Sequence, residues 1–215
     1  PSADLGGVLK PGKKTHRATI LNPLEIGKLG IAIDSYHGTP AVCAALKLSI
    51  LLFQRPGEIR GMEWNEIRWE QRLWEIPAER MKMREPHVVP LSCQSLQILE
   101  DLHPITGTGR YVFPSQKGSS RNISDNAVRS ALRTLGYGNA SICPHGFRAM
   151  ARTLLEEVLG YPYNWIEQQL SHSVRDPNGR AYNRTAHLEG RTEMMQAWSD
   201  YVEDLKTKAL TMNAH

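Results

Sequence analysis

Residues 41–53 constrain the fold more than any other part of the chain, because they are apolar on nearly every face. They follow Thr39-Pro40, in which threonine can cap a helix and proline can occupy its first turn. A helix that is apolar all round must be buried. This one contains Lys47 and is too short to span a bilayer. The segment therefore predicts the central helix of a folded domain.

Helix-start signals recur on both sides of this central helix. Asn22-Pro23-Leu24-Glu25 combines a capping asparagine with a first-turn proline and glutamate. Further starts are expected at Ser92, Ser124, Pro144 and Pro162. The last predicted helix carries one apolar stripe, formed by Met194, Trp198, Tyr201 and Leu205.

Three short β-prone segments interrupt the helical pattern: Ile67–Trp69, Leu73–Ile76 and His87–Leu91. The charged stretch 79–85 between the last two is expected to form a hairpin tip. The predicted fold is α+β and mainly helical, with a small antiparallel three-stranded sheet.

The predicted organisation is one folded domain, residues 22–215, with a C-terminal tail from about residue 203. Residues 1–21 are basic and rich in glycine and proline, which indicates a linker or arm. Because the chain begins at Pro1, we expect it to be a piece of a longer protein whose N-terminal region is missing. The tail has too few apolar residues to form a unit of its own, and its simplest interpretation is a frayed terminus.

Composition narrows the function only slightly. The net charge of +4 favours a polyanionic partner weakly. The three cysteines, Cys43, Cys93 and Cys143, are far apart and form no CxxC pair. A disulfide framework or a zinc site is therefore not expected, and a reducing cytoplasm fits.

Three short motifs carry candidate chemistry. Gln54-Arg55-Pro-Gly-Glu58 follows the central helix, and taken alone it is explained more simply by a surface ion pair between Arg55 and Glu58. His145-Gly-Phe-Arg148 begins a helix, where free backbone N–H groups suit an anion, although a solvated polar face is the simpler interpretation. Leu170-Ser-His172 ends the next helix.

A tyrosine, Tyr182, follows ten residues after His172, and alone it would carry no meaning. In order, however, the motifs and a lysine in the predicted hairpin resemble the tyrosine recombinase, or phage integrase, family over roughly residues 20–205. Met81-Lys-Met-Arg, 87–92 and 194–198 resemble most closely the integrases of prophages, satellite phages and genomic islands.

The resemblance implies site-specific DNA recombination, by strand cleavage and rejoining through a 3′-phosphotyrosine, with no metal, ATP or other cofactor. Tyr182 would be the nucleophile. Arg55 and Arg148 would hold the non-bridging oxygens of the scissile phosphate. Lys82 would protonate the leaving 5′ oxygen.

The resemblance also implies supporting roles. His145 and His172 would bond the phosphate and assist proton movement around Tyr182. Glu58 would orient Arg55 or a histidine. Further DNA contacts are expected, more loosely, from arginines near these residues and in the basic stretches 110–133 and 175–191: Arg80, Arg84, Arg121, Arg152 and Arg180.

The expected partners follow from the resemblance. They are double-stranded attachment-site DNA, three further copies of the chain on that DNA, an excisionase and a host DNA-bending protein. The resemblance also implies that the tail from about residue 203 docks on a neighbouring copy in this assembly. Without DNA we expect a monomer, in the bacterial cytoplasm and not on a membrane. Two alternatives remain open: a type IB topoisomerase-like enzyme that relaxes supercoils, and an inactive DNA-binding protein descended from an integrase.

Overall fold

The computed structural model describes residues 18–138, 140–172 and 187–212. Within these ranges the helices are α1 (Pro23–Asp34), α2 (Pro40–Leu52), α3 (Pro56–Arg60), α4 (Cys93–Thr106), α5 (Ala127–Thr134), α6 (Gly146–Glu157), α7 (Tyr163–Gln169) and α8 (Leu188–Met212). The strands are β1 (Ile67–Arg68), β2 (Leu73–Ile76), β3 (His87–Pro90), β4 (Pro114–Ser115) and β5 (Gly118–Asn122). The predicted fold class, mainly helical with a small antiparallel sheet, is confirmed.

Three of the predicted helix caps are confirmed. The side chains of Asn22, Thr39 and Ser92 accept hydrogen bonds from backbone N–H groups three residues later, at the starts of α1, α2 and α4. Each bond satisfies a donor that the first helical turn would otherwise leave without a partner. These three starts are therefore fixed by local chemistry, which is why the sequence predicts them.

The predicted helix cap at Ser124 is wrong by two residues. Helix α5 begins at Ala127, with Asn126 in the capping position. Ser124 contributes its backbone carbonyl, which accepts from the Ala127 N–H at 3.1 Å. The serine thus sits in the turn before the helix and does not cap it with its side chain.

Helix α2 lies at the centre of the core, as predicted. Its residues Ala45, Leu46, Leu48 and Leu52 are fully buried. Trp198 of α8 lies across the end of this helix, and its indole N–H donates to the carbonyl of Ile50 at 3.0 Å. One residue of the apolar stripe predicted for the last helix, Trp198, therefore covers the central helix, while Leu205 of the same stripe packs against α1.

The sheet has the order β1-β2-β3, and both of its pairings are antiparallel. Ile76 pairs with His87, so the chain leaves β2 and re-enters β3 through residues 77–86. This loop is the predicted hairpin tip. It is anchored by Met81, which is buried.

The hairpin β4–β5 was not predicted. Its residues are mostly polar and lack the alternation that marks a strand. A turn forms it: Gly118 has φ of +146°, which favours glycine, and the Lys117 N–H donates to Ser115 Oγ at 3.2 Å.

The chain ends pack differently from the prediction. Residues 203–212 continue α8 and do not form a separate tail, because Leu205 and Ala209 are buried against α1. At the other end, Thr19 donates to the carbonyl of Gly146 at 2.8 Å. The end of the predicted arm, residues 18–21, therefore contacts the domain. Residues 1–17 lie outside the described ranges.

Of the described helices, none has the length and apolar character needed to cross a membrane.

Candidate active site

A cleft of about 570 Å³ brings together three of the predicted site residues, Arg55, Lys82 and His145. Glu58 lies in its wall, and Arg129 of α5 faces into it from the other side. Residues from four separate parts of the sequence therefore meet here: the α2–α3 junction, the loop 77–86, the start of α5 and the start of α6. Four of the lining side chains are basic and two are acidic, so the cleft favours an anion.

Arg55 is the capping residue of α3, and its side chain is 19% exposed. Its backbone N–H donates to Glu58 Oε2 at 2.9 Å, and its Nη1 donates to Glu58 Oε1 at 2.6 Å. Glu58 is 4% exposed. The ion pair between Arg55 and Glu58 is therefore present, with its carboxylate buried and its guanidinium partly buried. A catalytic role for Glu58 stays a prediction.

The end of α7 is built as a Schellman motif, in which the chain turns back on the helix end. Ser171 has φ of +51°, its N–H donates to the Gln168 carbonyl, and the His172 N–H donates to the Glu167 carbonyl at 2.9 Å. A left-handed φ is unusual for serine. It directs the chain so that His172 lies beside the last turn of α7.

Arg148 is 7% exposed, and it reaches from α6 toward the same helix end. Its Nη1 donates to the carbonyl of Phe53 at 3.1 Å, and its Nη2 donates to the carbonyl of Leu170 at 2.6 Å. Phe53 is itself left-handed, with φ of +41°, at the end of α2. Two strained backbone positions, Phe53 and Ser171, therefore shape the surroundings of this guanidinium.

Three successive carbonyls at the end of α7 hold polar side chains from elsewhere in the chain. The Gln169 carbonyl accepts from Gln54 Nε2 at 2.8 Å, Leu170 accepts from Arg148, and Ser171 accepts from Arg55 Nη2 at 3.1 Å. Carbonyls at a helix end lack intrahelical partners and carry partial negative charge. This helix end therefore fixes both arginines in one place.

The two arginines repel each other. Burial, with the charge of Arg55 as a second cause, lowers the pKa of Arg148 to about 10, while the charges of Glu58 and Glu167 oppose the shift. Arg148 still carries its charge at neutral pH. A phosphate between Arg55 and Arg148 would relieve this repulsion, which suits the pair to an anionic ligand.

His145 and Lys82 line the cleft from two sides. His145 occupies the capping position of α6 and is half-buried. Lys82 is exposed and follows the buried Met81. The backbone near Lys82 is thus anchored, while its side chain faces the cleft.

Arg80, predicted to contact DNA, has other partners in the structure. Its guanidinium contacts both carboxylate oxygens of Glu66, and its Nη2 donates to the Glu58 carbonyl at 2.8 Å. Arg80 therefore braces the segment that carries Glu58, and a DNA contact by Arg80 stays a prediction.

Arg152, also predicted to contact DNA, has carboxylate partners. Its Nε donates to Glu167 Oε1 at 2.6 Å, and its Nη1 lies 4.0 Å from Glu156. Its guanidinium lies over the ring of Tyr163, 5.2 Å from the centroid. These contacts tie α6 to α7.

Glu167 is a functional candidate that the sequence did not single out. It is 8% exposed, and its Oε2 lies 2.8 Å from Nδ1 of His172. The two residues are five positions apart in the sequence, a spacing that does not bring side chains together on a regular helix. They meet because the Schellman motif pairs these two positions through the backbone, and only the left-handed residue between them could have signalled it.

A second buried network lies behind the site. Arg191, at the start of α8, is fully buried and donates to Gln169 Oε1 at 3.0 and 2.6 Å and to the Val88 carbonyl at 2.5 Å. His87 Nε2 lies 3.1 Å from the Gln169 carbonyl. Gln169 therefore connects α7 to α8 and to β3.

Two further predicted DNA contacts lie at the surface of the described part of the chain. Arg84 and Arg121 are exposed, in the loop 77–86 and in β5. Tyr182, the predicted nucleophile, and Arg180 lie outside the described residues. In the described part of the chain, no group of three or more His, Cys, Asp or Glu side chains is placed to hold a metal ion.

The sequence matches known integrases. A model of the phage integrase family matches residues 32–188. The integrase of Enterobacteria phage P4 is 36% identical over 99% of this chain and 51% of its own length. The chain therefore spans about half the length of this relative.

Solved structures share the fold at low sequence identity. The integrase of mycobacterium phage Brujita has a TM-score of 0.63 at 13% identity, covering 88% of this chain and 61% of that one. A lambda integrase dimer bound to a COC′ core site has a TM-score of 0.57 at 20% identity, covering 81% and 52%. A lambda integrase tetramer bound to a Holliday junction has a TM-score of 0.54 at 18% identity, covering 81% and 53%.

Proposed function

The chain belongs to the phage integrase family, and we propose that it forms the catalytic domain of a site-specific DNA recombinase that integrates or excises a prophage or genomic island. The convergence of Arg55, Arg148 and His172 at the end of α7 carries the proposal. Lys82 and His145 line the adjoining cleft, which supports a phosphate-sized site between them.

The proposed reaction begins with the hydroxyl of Tyr182. Its oxygen attacks the scissile phosphorus, a bond forms between them, and the bond from phosphorus to the 5′ oxygen breaks. The proton of the tyrosine hydroxyl passes to a histidine of the site, His145 or His172. Lys82 gives a proton to the 5′ oxygen, so that a free 5′ hydroxyl leaves. In the reverse step the 5′ hydroxyl of a partner strand attacks the phosphotyrosine and restores the diester.

Arginines suit the transition state of this transfer. Negative charge builds up on the non-bridging oxygens, and catalysis consists largely of positioning and charge stabilisation. Two guanidinium groups can each grip these oxygens with paired hydrogen bonds, which lysine cannot do. The network from Glu58 and the α7 carbonyls holds Arg55 and Arg148 before DNA arrives.

Tyrosine is well suited to act as a nucleophile in a reversible transfer. Its hydroxyl has an ordinary pKa of about 10, so phenolate leaves far more readily than an alkoxide. The phosphotyrosine therefore retains the energy of the diester, and rejoining needs no ATP.

The proposed partners are attachment-site DNA and three further copies of the chain assembled on it, together with an excisionase and a host DNA-bending protein. The lambda integrase dimer on a core site and the tetramer on a Holliday junction support the first two by analogy. We expect Arg84, Arg121 and Arg180 to make further contacts to DNA outside the site. Arg129, which lines the cleft, is an additional candidate for such a contact.

The covalent step can be tested with nicked duplexes that trap the cleaved strand, made from the repeats that flank the gene. Wild-type protein should accumulate a protein–DNA adduct. Tyr182→Phe removes only the hydroxyl oxygen, so the adduct should vanish while DNA binding survives. Gel electrophoresis and mass spectrometry would detect and locate the adduct.

Tyr163→Phe is the matched control, because Tyr163 is an exposed tyrosine of α7 and its adduct yield should match wild type. An adduct at Tyr111, Tyr161, Tyr163 or Tyr201 would overturn the assignment of Tyr182. Strand exchange between two duplexes would distinguish a recombinase from a topoisomerase-like enzyme, which would relax supercoiled DNA that lacks the site. Binding with no adduct in wild type would indicate the inactive DNA-binding protein.

A further inference from the structure

The imidazole ring of His172 is held at both of its nitrogens. Nδ1 lies 2.8 Å from Glu167 Oε2, and Nε2 lies 3.3 Å from Arg148 Nη2. The first partner belongs to α7 and the second to α6. The ring is 43% exposed, so its other edge faces outward.

Glu167 is ionised in this arrangement. Burial alone would raise the pKa of its carboxyl group, but hydrogen bonds from Arg152 and His172 outweigh burial and hold that pKa below its ordinary value. An ionised carboxylate only accepts hydrogen bonds, so Nδ1 of His172 must carry a hydrogen. A guanidinium only donates, so Nε2 must offer its lone pair to Arg148.

Both contacts thus demand the same tautomer, with the hydrogen on Nδ1 and the lone pair on Nε2. The two observations are independent, because they involve different helices and opposite sides of the ring. We propose that Glu167 is a positioning residue that holds His172 in this tautomer, so that Nε2 acts as the proton acceptor in strand cleavage. This inference rests on the proposed recombinase function.

The tautomer defines what His172 can do. Neutral His172 cannot donate from Nε2 to a phosphate oxygen, because that nitrogen carries no hydrogen. When Arg148 turns its N–H groups to a bound phosphate, the lone pair of Nε2 is released and can receive the proton lost as the attacking hydroxyl bonds to phosphorus. The resulting imidazolium would have N–H groups on both nitrogens, one facing Glu167 and the other free to donate to the phosphate.

Arg152 fixes the carboxylate in turn. Its Nε donates to Glu167 Oε1 at 2.6 Å, which leaves Oε2 for His172. The charged groups facing the ring are then Glu167 from α7 and Arg148 and Arg152 from α6, with Arg55 beyond Arg148. The order Arg152, Glu167, His172 sets the direction of the acceptor nitrogen.

The simpler alternative is that Glu167 only ties α6 to α7. Glu156 provides the comparison, because it also pairs with Arg152, at 4.0 Å, but does not contact His172. Glu167→Gln keeps the size of the side chain, yet its amide can either accept from Nδ1 or donate to it. In this variant the position stays filled, but the side chain no longer requires one tautomer of His172.

The tautomer can be measured directly by NMR of the chain labelled with ¹⁵N at histidine, without DNA. His172→Gln identifies the resonances of this ring among those of the eight histidines. In wild type and in Glu156→Gln we expect neutral His172 to be protonated at Nδ1 and unprotonated at Nε2. In Glu167→Gln we expect the two tautomers to mix. Protonation at Nε2 in neutral wild type would overturn the proposal, whether or not the variant folds.

The catalytic consequence is measured as the rate of adduct formation on the nicked duplex. Glu167→Gln should slow it by roughly 10²-fold, the lower end of what a positioned acid–base group contributes. Glu156→Gln should react at the wild-type rate, and Glu167→Asp should recover part of it. A wild-type rate for Glu167→Gln, despite mixed tautomers, would refute the catalytic part.

The two proposals can fail separately. If wild type forms no adduct at all, the recombinase function fails, while the NMR result still decides the tautomer. If wild type cleaves but His172 is protonated at Nε2, the function stands and the role of Glu167 falls.

Discussion

Lys82 differs from the other proposed catalytic residues because its side chain is exposed while the residues before it are held in place. Met81 is buried, and Arg80 is bound to Glu66 and to the Glu58 carbonyl. The loop 77–86 therefore presents Lys82 at the edge of the cleft from an anchored base. This geometry fits a general acid that reaches the leaving oxygen only when DNA occupies the cleft.

A substrate with sulfur in place of the leaving 5′ oxygen tests this role. A thiolate leaves without protonation, since a cysteine-like thiol has a pKa of about 8.5. Lys82→Ala should therefore cleave normal DNA roughly 10²-fold or more slowly, yet cleave the sulfur substrate near the wild-type rate. The measurement is single-turnover cleavage on both substrates.

Arg148→Ala is the comparison, because its proposed work is on the non-bridging oxygens. It should stay slow on both substrates. Equal defects of Lys82→Ala on the two substrates would show that Lys82 does not protonate the leaving oxygen.

At the scale of single residues, the sequence selected side chains that lie close together in the structure, but it did not reveal the contacts that connect them. Ordered motifs were enough to select Arg55, His145, Arg148 and His172, and the structure brings them to one region. Glu167 could not be selected, because its contact to His172 depends on the left-handed turn at Ser171.

The arginines near the motifs show the same limit. Charge and proximity alone made Arg80 and Arg152 candidates for DNA contact. The structure gives both of them carboxylate partners, Glu66 and Glu167. The sequence shows that a basic side chain is present, but the acidic partner of that side chain depends on which distant segment folds beside it.

Among the elements, the contact between α1 and α8 is unusually close. A Cβ atom at Gly27 would lie 2.2 Å from the carbonyl oxygen of Leu205 and 2.8 Å from Cβ of Ala209. Only a residue without a side chain lets the two helix backbones approach this far. The contact explains why residues 203–212 stay helical.

Gly27→Ala should therefore destabilise the domain. Alanine favours a helix over glycine by up to about 1 kcal/mol, but the added methyl group meets backbone, which cannot move aside cheaply. We expect a net loss of about 1–3 kcal/mol in the free energy of unfolding. Denaturant unfolding followed by circular dichroism would measure it.

Gly30→Ala is the matched control on the same helix. A Cβ there would meet only the side chain of Lys206, which is flexible. Gly30→Ala should lose less free energy of unfolding than Gly27→Ala. If Gly27→Ala were the milder change, the explanation by close helix approach would fail.

Helices could be predicted from the sequence where residues close together in the chain define their starts. The caps at Asn22, Thr39 and Ser92 are side-chain to backbone bonds within four residues, so the sequence contains them completely. The hairpin β4–β5 has no apolar pattern, and the course of residues 203–212 depends on α1. Both require knowledge of the assembled domain.

For the whole molecule, the network around Gln169 makes folding stability depend on pH, because it includes the buried His87 next to the site. Burial lowers the pKa of His87 to about 3, and the charges of Arg191, Arg148 and Arg55 act in the same direction, while the Gln169 carbonyl opposes them. His87 therefore stays neutral in the folded domain, although the unfolded chain binds a proton near the ordinary pKa of 6.5.

The direction in which pH changes the free energy of unfolding follows from this difference in pKa. Below pH 6.5 the unfolded state takes up a proton that the folded state refuses, so stability is full above pH 6.5 and is lost as the pH falls toward about 3. Between pH 7 and pH 5 the contribution of His87 should amount to about 2 kcal/mol. In His87→Gln the loss of unfolding free energy over this range should shrink by that amount.

Chemical denaturation at a series of pH values would measure the change. His37→Gln provides the control, because His37 lies exposed at the surface, and it should keep the wild-type dependence. Identical pH dependence in His87→Gln and wild type would contradict the assignment to His87.

The carbonyl groups at the end of α7 have a consequence for how this site can change by mutation. A backbone carbonyl is present whatever side chain its residue carries, so the groups that hold Arg148 and Arg55 persist through any substitution of Leu170 or Ser171 that preserves the turn. Leu170 is buried, so this freedom applies to Ser171, which is partly exposed beside the arginines. The side chain at Ser171 can therefore vary while the positions of the two arginines are inherited intact.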